Sequence, residues 1–152
     1  MRRLDRRWWV AIGVVVIALS ALALSRSGLF GPSSQECRPV KDVLDFNRAQ
    51  GEQIANKTAG STGVPTVAEE GAYRAWADGL AERAQSVHEP DLARDATQLA
   101  SLANEFVAKF SDLRVEAQSR APGAPAPPAV YQMDVLNTQI SDSLKKLSDA
   151  CD

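Results

Sequence analysis

Two cysteines, Cys37 and Cys151, stand 114 positions apart in a chain of 152 residues, and there is no third. If they pair, the two ends of the intervening chain must bring their Cα atoms within about 7 Å of each other. A bond closing so large a loop contributes roughly 4 to 5 kcal/mol in the chain-entropy account, which rivals the whole stability of a small domain. The competing arrangements are two buried, reduced thiols or a bridge to another molecule. Internal pairing makes the strongest demand on topology, and it requires an oxidising compartment.

The N-terminal sequence supplies a route to such a compartment. Residues 8–25, WWVAIGVVVIALSALALS, carry no charge. As a helix they cover about 27 Å, just enough for the hydrocarbon core of a bilayer. Arg2, Arg3, Arg6 and Arg7 precede the run and Arg26 alone follows it. The positive-inside rule then leaves residues 1–7 as a cytoplasmic basic tail and exports the chain beyond Ser25. Trp8 and Trp9 fall where an interfacial aromatic belt belongs. The alternative is a cleaved signal peptide with a small-x-small site at Ala21-Leu22-Ala23, which would release a secreted protein after Ala23. The apolar run is long for such a peptide and lacks a polar stretch before the site. The expectation is therefore a single-pass cell-membrane protein with a retained signal-anchor helix. Frequent alanine, and arginine in excess of lysine, fit a bacterial chain encoded by a GC-rich genome. The net charge of −2 conceals a basic start and a mildly acidic remainder, and an acidic exported part is no footprint for nucleic acid.

Residues 26–36, rich in glycine and serine, read as a linker, and residues 37–152 as one all-α extracytoplasmic domain. A first helix is expected over residues 38–57, with Val40, Val43, Leu44 and Ile54 on one face and Gly51 weakening it by about 1 kcal/mol relative to alanine. Thr66 and Glu69 form a capping-box pattern that starts a second helix. Tyr73, Trp76, Leu80, Ala84 and Val87 follow at spacings of three and four. The sequence HEPD ends it, with Asp91 placed to cap the next. In the third helix Leu92, Ala96, Leu99, Ala103, Phe106, Phe110, Leu113 and Ala117 alternate steps of four and three, a strict heptad seam. Such a seam suits a bundle neighbour or a second copy of the chain. Pro122, Pro125, Pro127 and Pro128 impose a polyproline-like connector. A fourth helix over residues 129–150 carries Met133, Leu136, Ile140, Leu144 and Leu147 on its stripe and leads to Cys151. Lys145 and Lys146 lie near its negative end.

An even number of antiparallel helices returns the chain to the end where it began. Four helices in up-down-up-down order therefore place Cys151 beside Cys37, whereas three would part them by a helix length, roughly 30 Å. In that antiparallel four-helix bundle closed by a disulfide, HEPD lies at the base with the cysteines. The connector TAGSTGVP and the proline-rich connector share the far tip.

No catalytic constellation emerges from the residue types. His88 is the sole histidine, so no histidine cluster can hold a metal, and its place near the end of the second helix suits the helix dipole. No phosphate-binding glycine loop or nucleophile-elbow motif occurs, and Asp42, Asp45, Glu69, Glu70 and Glu82 read as a solvated face. The expectation is a protein without enzymatic activity or cofactor, acting by protein–protein interaction as an accessory or scaffold subunit for an envelope protein partner. Contact candidates are Pro122, Pro125, Pro127, Pro128, Thr62 and Val64 at the tip. The alternative is a carrier or sensor for a small apolar ligand in a cavity between helices, lined by Trp76, Phe106, Phe110 and Met133. Asn137 is either a buried register-setting residue or a boundary position. Intact-mass analysis of the protein from its native membrane is expected to find the first 23 residues attached; a chain beginning just after Ala23 would mean cleavage.

Overall fold

The helix starts of the computed structural model are marked by the groups that satisfy their first amides. The structure describes residues 31–59, 66–121 and 124–152. The described residues hold four helices and no strand: α1 Cys37–Thr58, α2 Val67–Ala84, α3 Pro90–Gln118 and α4 Pro128–Ala150. Ahead of α1, the Glu36 amide donates to Ser33 Oγ at 3.3 Å and the Ser33 amide donates to Glu36 Oε2 at 2.6 Å. Residues 33–36 of the expected linker thus form a reciprocal cap. The backbone hydrogen bond to Ser33 holds the Glu36 carboxyl below its ordinary pKa. The Thr66–Glu69 capping box at α2 forms both of its bonds. Glu69 is buried there instead of joining a solvated face.

Two boundaries differ from the sequence reading. Helix α2 ends at Ala84, and the Ser86 and Val87 amides turn back onto Arg83 and Ala84 carbonyls. Val87 is buried from this connection, while His88 is exposed in it, clear of the helix end. The cap of α3 is Glu89, whose carboxylate accepts from the Leu92 amide at 2.7 Å. Pro90 occupies the first helical position, where its missing N–H costs nothing, and Asp91 is left in the first turn. The proline connector is likewise shorter than expected, because Pro127 is the cap position of α4 and Pro128 its first residue. Glu116 of α3 accepts from the Ala129 amide at 3.0 Å, satisfying one of the orphan donors at that helix start.

Contacts pair the start of one helix with the end of the next, Asp42 with Arg83, Glu70 with Arg114 and Asp95 with Lys146. Successive helices therefore run in opposite directions, and Cys37 and Cys151 are joined by a disulfide with Cα atoms 5.4 Å apart. Both are buried. Helix α3 is the organiser, packing most extensively on α4 and then on α2, while α1 rests mainly on α2. The heptad seam explains why. Leu92, Ala96, Leu99, Ala103, Phe110 and Leu113 are all buried, so the seam is spent inside the bundle and is not left for a second copy. Leu80, Leu99 and Leu147 are essentially inaccessible, each worth about 2 to 3 kcal/mol of apolar burial. Fully buried Ala77, Ala103 and Ala129 let backbones approach.

Specific polar ties cross the interfaces. Asp95, buried on α3, accepts from Lys146 Nζ of α4 at 2.8 Å. Lys145 pairs with Asp149 on its own helix, so these lysines act through carboxylates. Between α1 and α2, a methyl group on Gly79 would overlap the Phe46 ring. Arg83 sits 3.8 Å over that ring, with its Nε 3.3 Å from Asp42 in an ion pair lacking hydrogen-bond alignment. Glycine at position 79 is what lets the ring lie there.

Near the tip, Glu70 of α2 accepts from Arg74 at 2.9 Å and from Arg114 of α3. The Arg114 hydrogen bond lowers the Glu70 pKa from about 4.5, and the charges of Arg114 and Arg74 add to the effect while desolvation opposes it. A carboxyl whose folded pKa is depressed contributes stability above its unfolded value and loses it as pH falls through the folded one. Glu70→Gln is therefore expected to lower the melting temperature at pH 7. The gap to the parent should narrow below about pH 4.5 and close in strong acid. Circular-dichroism melts across pH check this.

Candidate functional site

The ring of helices is closed least well where α1 meets α4. That seam is the thinnest between neighbours; the disulfide binds it at the base, and a cleft of about 470 Å³ opens beside it. One wall is a stripe of α1, Asn47, Gly51, Ile54, Ala55 and Thr58, recurring at spacings of one to four. The other is Asn137, Ile140, Ser141 and Leu144 of α4. Tyr73 and Trp76 of α2 and Phe106 of α3 form the floor. The local reason for the opening lies in α1. Its stripe carries a polar residue at 47 and no side chain at 51, and a methyl at Gly51 would meet nothing within 4 Å.

The floor is rigid. Trp76 packs edge-on against Phe106, centroids 6.3 Å apart, and Tyr73 tilts against Phe106 at 5.8 Å and Phe110 at 5.0 Å. Phe106 and Phe110 are perpendicular at 5.6 Å. Such pairs add about 0.5 to 1.5 kcal/mol beyond their burial. The Trp76 indole N–H donates to Asn47 Oδ1 at 2.9 Å, so the largest floor residue has its polar atom occupied. Burial, reinforced by the negative charge of Glu69, raises the Tyr73 pKa, so the phenol keeps its proton at neutral pH.

Of the four residues expected around a cavity, Trp76 and Phe106 line this cleft; Phe110 and Met133 do not. Phe110 is buried behind Tyr73 and Phe106, and Met133 is half-buried. Heptad position alone cannot separate a residue facing the cleft from one turned into the core a turn further on. Asn137 is exposed, at the cleft's mouth. Sequence reasoning missed Asn47, Gly51 and Ser141. Their signal was present as polar or absent side chains interrupting otherwise apolar stripes.

At the tip, Pro125 and Pro128 are exposed and Pro127 is half-buried; Arg120 donates to the Pro125 carbonyl, folding the connector back on α3. Thr62, Val64 and Pro122 lie outside the described residues. A second, open groove between α3 and α4 is lined by Glu105, Lys109, Tyr131, Gln132, Val135, Leu136 and Gln139. Among the described residues no three histidine, cysteine or acidic side chains gather where a metal could be held. No protein-family model, curated protein or solved structure matches the chain.

The Trp76–Asn47 bond joins α1 to the floor. Asn47→Leu leaves a buried indole donor unpaired and is expected to cost about 1 to 3 kcal/mol. Combined with Trp76→Phe, the double-mutant cycle should return a coupling of about 1 kcal/mol. Urea denaturation of the four proteins measures it, and additive losses would show that the bond contributes nothing.

Proposed function

We propose that the chain is a membrane-anchored, extracytoplasmic contact module, an accessory or scaffold subunit whose bundle presents its far end to a protein partner. The anchor is residues 8–25, which lie outside the described residues; among the described residues no helix is long and apolar enough to cross a membrane. Support for the anchor is the uncharged length of that run and the arginines before it. Cys37 follows soon after, so the disulfide end of the bundle is the one nearest the anchor along the chain. A 23-residue α4 carries the tip about 35 Å beyond it.

The observation that carries the reading is where the large apolar side chains remain exposed. Val67, Val115, Val130, Tyr131 and Val135 are all exposed, and all lie in the half of the bundle remote from the disulfide. Val67 reaches 77% exposure and Tyr131 61%. Scattered exposed apolar residues are ordinary, but segregation to one end, with Tyr131 and Val135 one turn apart on α4 flanking a groove, fits a surface meant to be covered.

A photo-crosslinking amino acid at Tyr131, in the full-length protein in its native membrane, is expected to give one discrete protein adduct. The same group at Arg94, exposed near the base, is expected to give none. Val135→Glu should abolish the Tyr131 adduct. Equal capture from both positions, or none from Tyr131, would contradict the proposal.

A further inference from the structure

We infer that the cleft between α1 and α4 is a binding site for one uncharged, flat, amphipathic small molecule. Charge is the first ground. Aspartate, glutamate, lysine and arginine make up 24% of the chain, yet none is among the twelve residues lining the cleft. An ionised ligand would give up hydration there without a counter-charge. Shape is the second. Tyr73, Trp76 and Phe106 offer an aromatic floor, the kind of surface on which planar rings stack or meet edge-on.

The polar atoms decide that the ligand is amphipathic rather than a plain hydrocarbon. Asn47 uses its carbonyl oxygen on Trp76, and its NH2 group donates to no described residue. The Asn137 carboxamide and the Tyr73 hydroxyl likewise make no hydrogen bond to a described residue. Three residues with unused donor and acceptor capacity thus line one cleft, as in small-molecule sites where a few polar groups orient an apolar body. The volume of about 470 Å³ falls within the range of such sites, roughly 300 to 1,000 Å³. The disulfide keeps α1 and α4 from parting at the base, while the thin seam above it allows small adjustments around an occupant. This inference stands on different residues from the tip surface and does not depend on it.

Gly51 suits the test, because a Cβ there meets nothing within 4 Å and the residue lies on the cleft wall. The chain has four isoleucines; Ile54 and Ile140 line the cleft, while Ile12 and Ile17 belong to the 8–25 segment proposed above as the anchor and serve as the lipid control. The full-length protein, methyl-labelled at isoleucine in phosphatidylcholine nanodiscs, is titrated with N-phenyl-1-naphthylamine, a neutral planar amphiphile. Ile54 and Ile140 are expected to shift saturably with a single equivalent, while Ile12 and Ile17 show no saturation. The sulfonated analogue, anilinonaphthalene sulfonate, should bind at least about tenfold more weakly. Gly51→Phe should lose at least about tenfold in affinity with unchanged helicity; Ser141→Phe, on the opposite wall, serves the same purpose if Gly51→Phe does not fold. Failure of Ile54 and Ile140 to respond, equal binding of the sulfonate, or undiminished binding to the folded filled variants would overturn the inference. Ile54 and Ile140 already displaced by transfer from detergent to lipid, and unresponsive to the dye, would assign the cleft to an acyl chain instead.

Discussion

The covalent bond between Cys37 and Cys151 is the constraint on which the rest of the bundle depends. Three of the four neighbouring helix pairs are held by apolar packing and by polar ties between them. The pair α1 and α4 has little of either, and without the bond α1 would be a helix leaning mainly on α2. The bond restricts the unfolded chain through a loop of more than one hundred residues and, in the folded one, defines a base. Tip and base are defined by it.

With the base tied, the two ends of the bundle take different characters. The base is polar and braced: Ser33 and Glu36 cap α1, Lys146 reaches buried Asp95, and Arg83 lies over Phe46. The remote half holds the exposed valines and Tyr131. Between them the incompletely closed seam leaves a charge-free cleft with an aromatic floor. A cross-linked end, an end with exposed apolar side chains and an opening in the wall are physical consequences of where packing is complete and where it is not.

Much of this was legible in the residues. The heptad run from Leu92 to Ala117, the Thr66–Glu69 box and the spacing of the two cysteines together imply four antiparallel helices joined at the base. Finer features were not, for identifiable reasons. Glu89 displaced Asp91 as a cap because Pro90 takes the first helical position, which moves the cap two residues earlier. Helix α2 stopped at Ala84 because the chain needs Gln85 to Glu89 to turn, and Val87 fills its apolar position from the turn itself. Glu69 and Glu70 left the solvated face because one closes a cap and the other meets Arg114, a partner 44 positions away that local pattern cannot reveal. The cleft was legible only in part, through Trp76 and Phe106, for a related cause. A sequence shows which face of a helix is apolar, but not whether the neighbouring helix comes close enough to cover it.

The most direct measurement of the central claim is equilibrium urea unfolding of the oxidised protein against the Cys37→Ser/Cys151→Ser variant. Ring closure by this bond predicts a loss of about 4 kcal/mol or more in unfolding free energy, with α1 the first helix to lose hydrogen-exchange protection. A loss below about 1 kcal/mol, with α1 as protected as α3, would contradict the account.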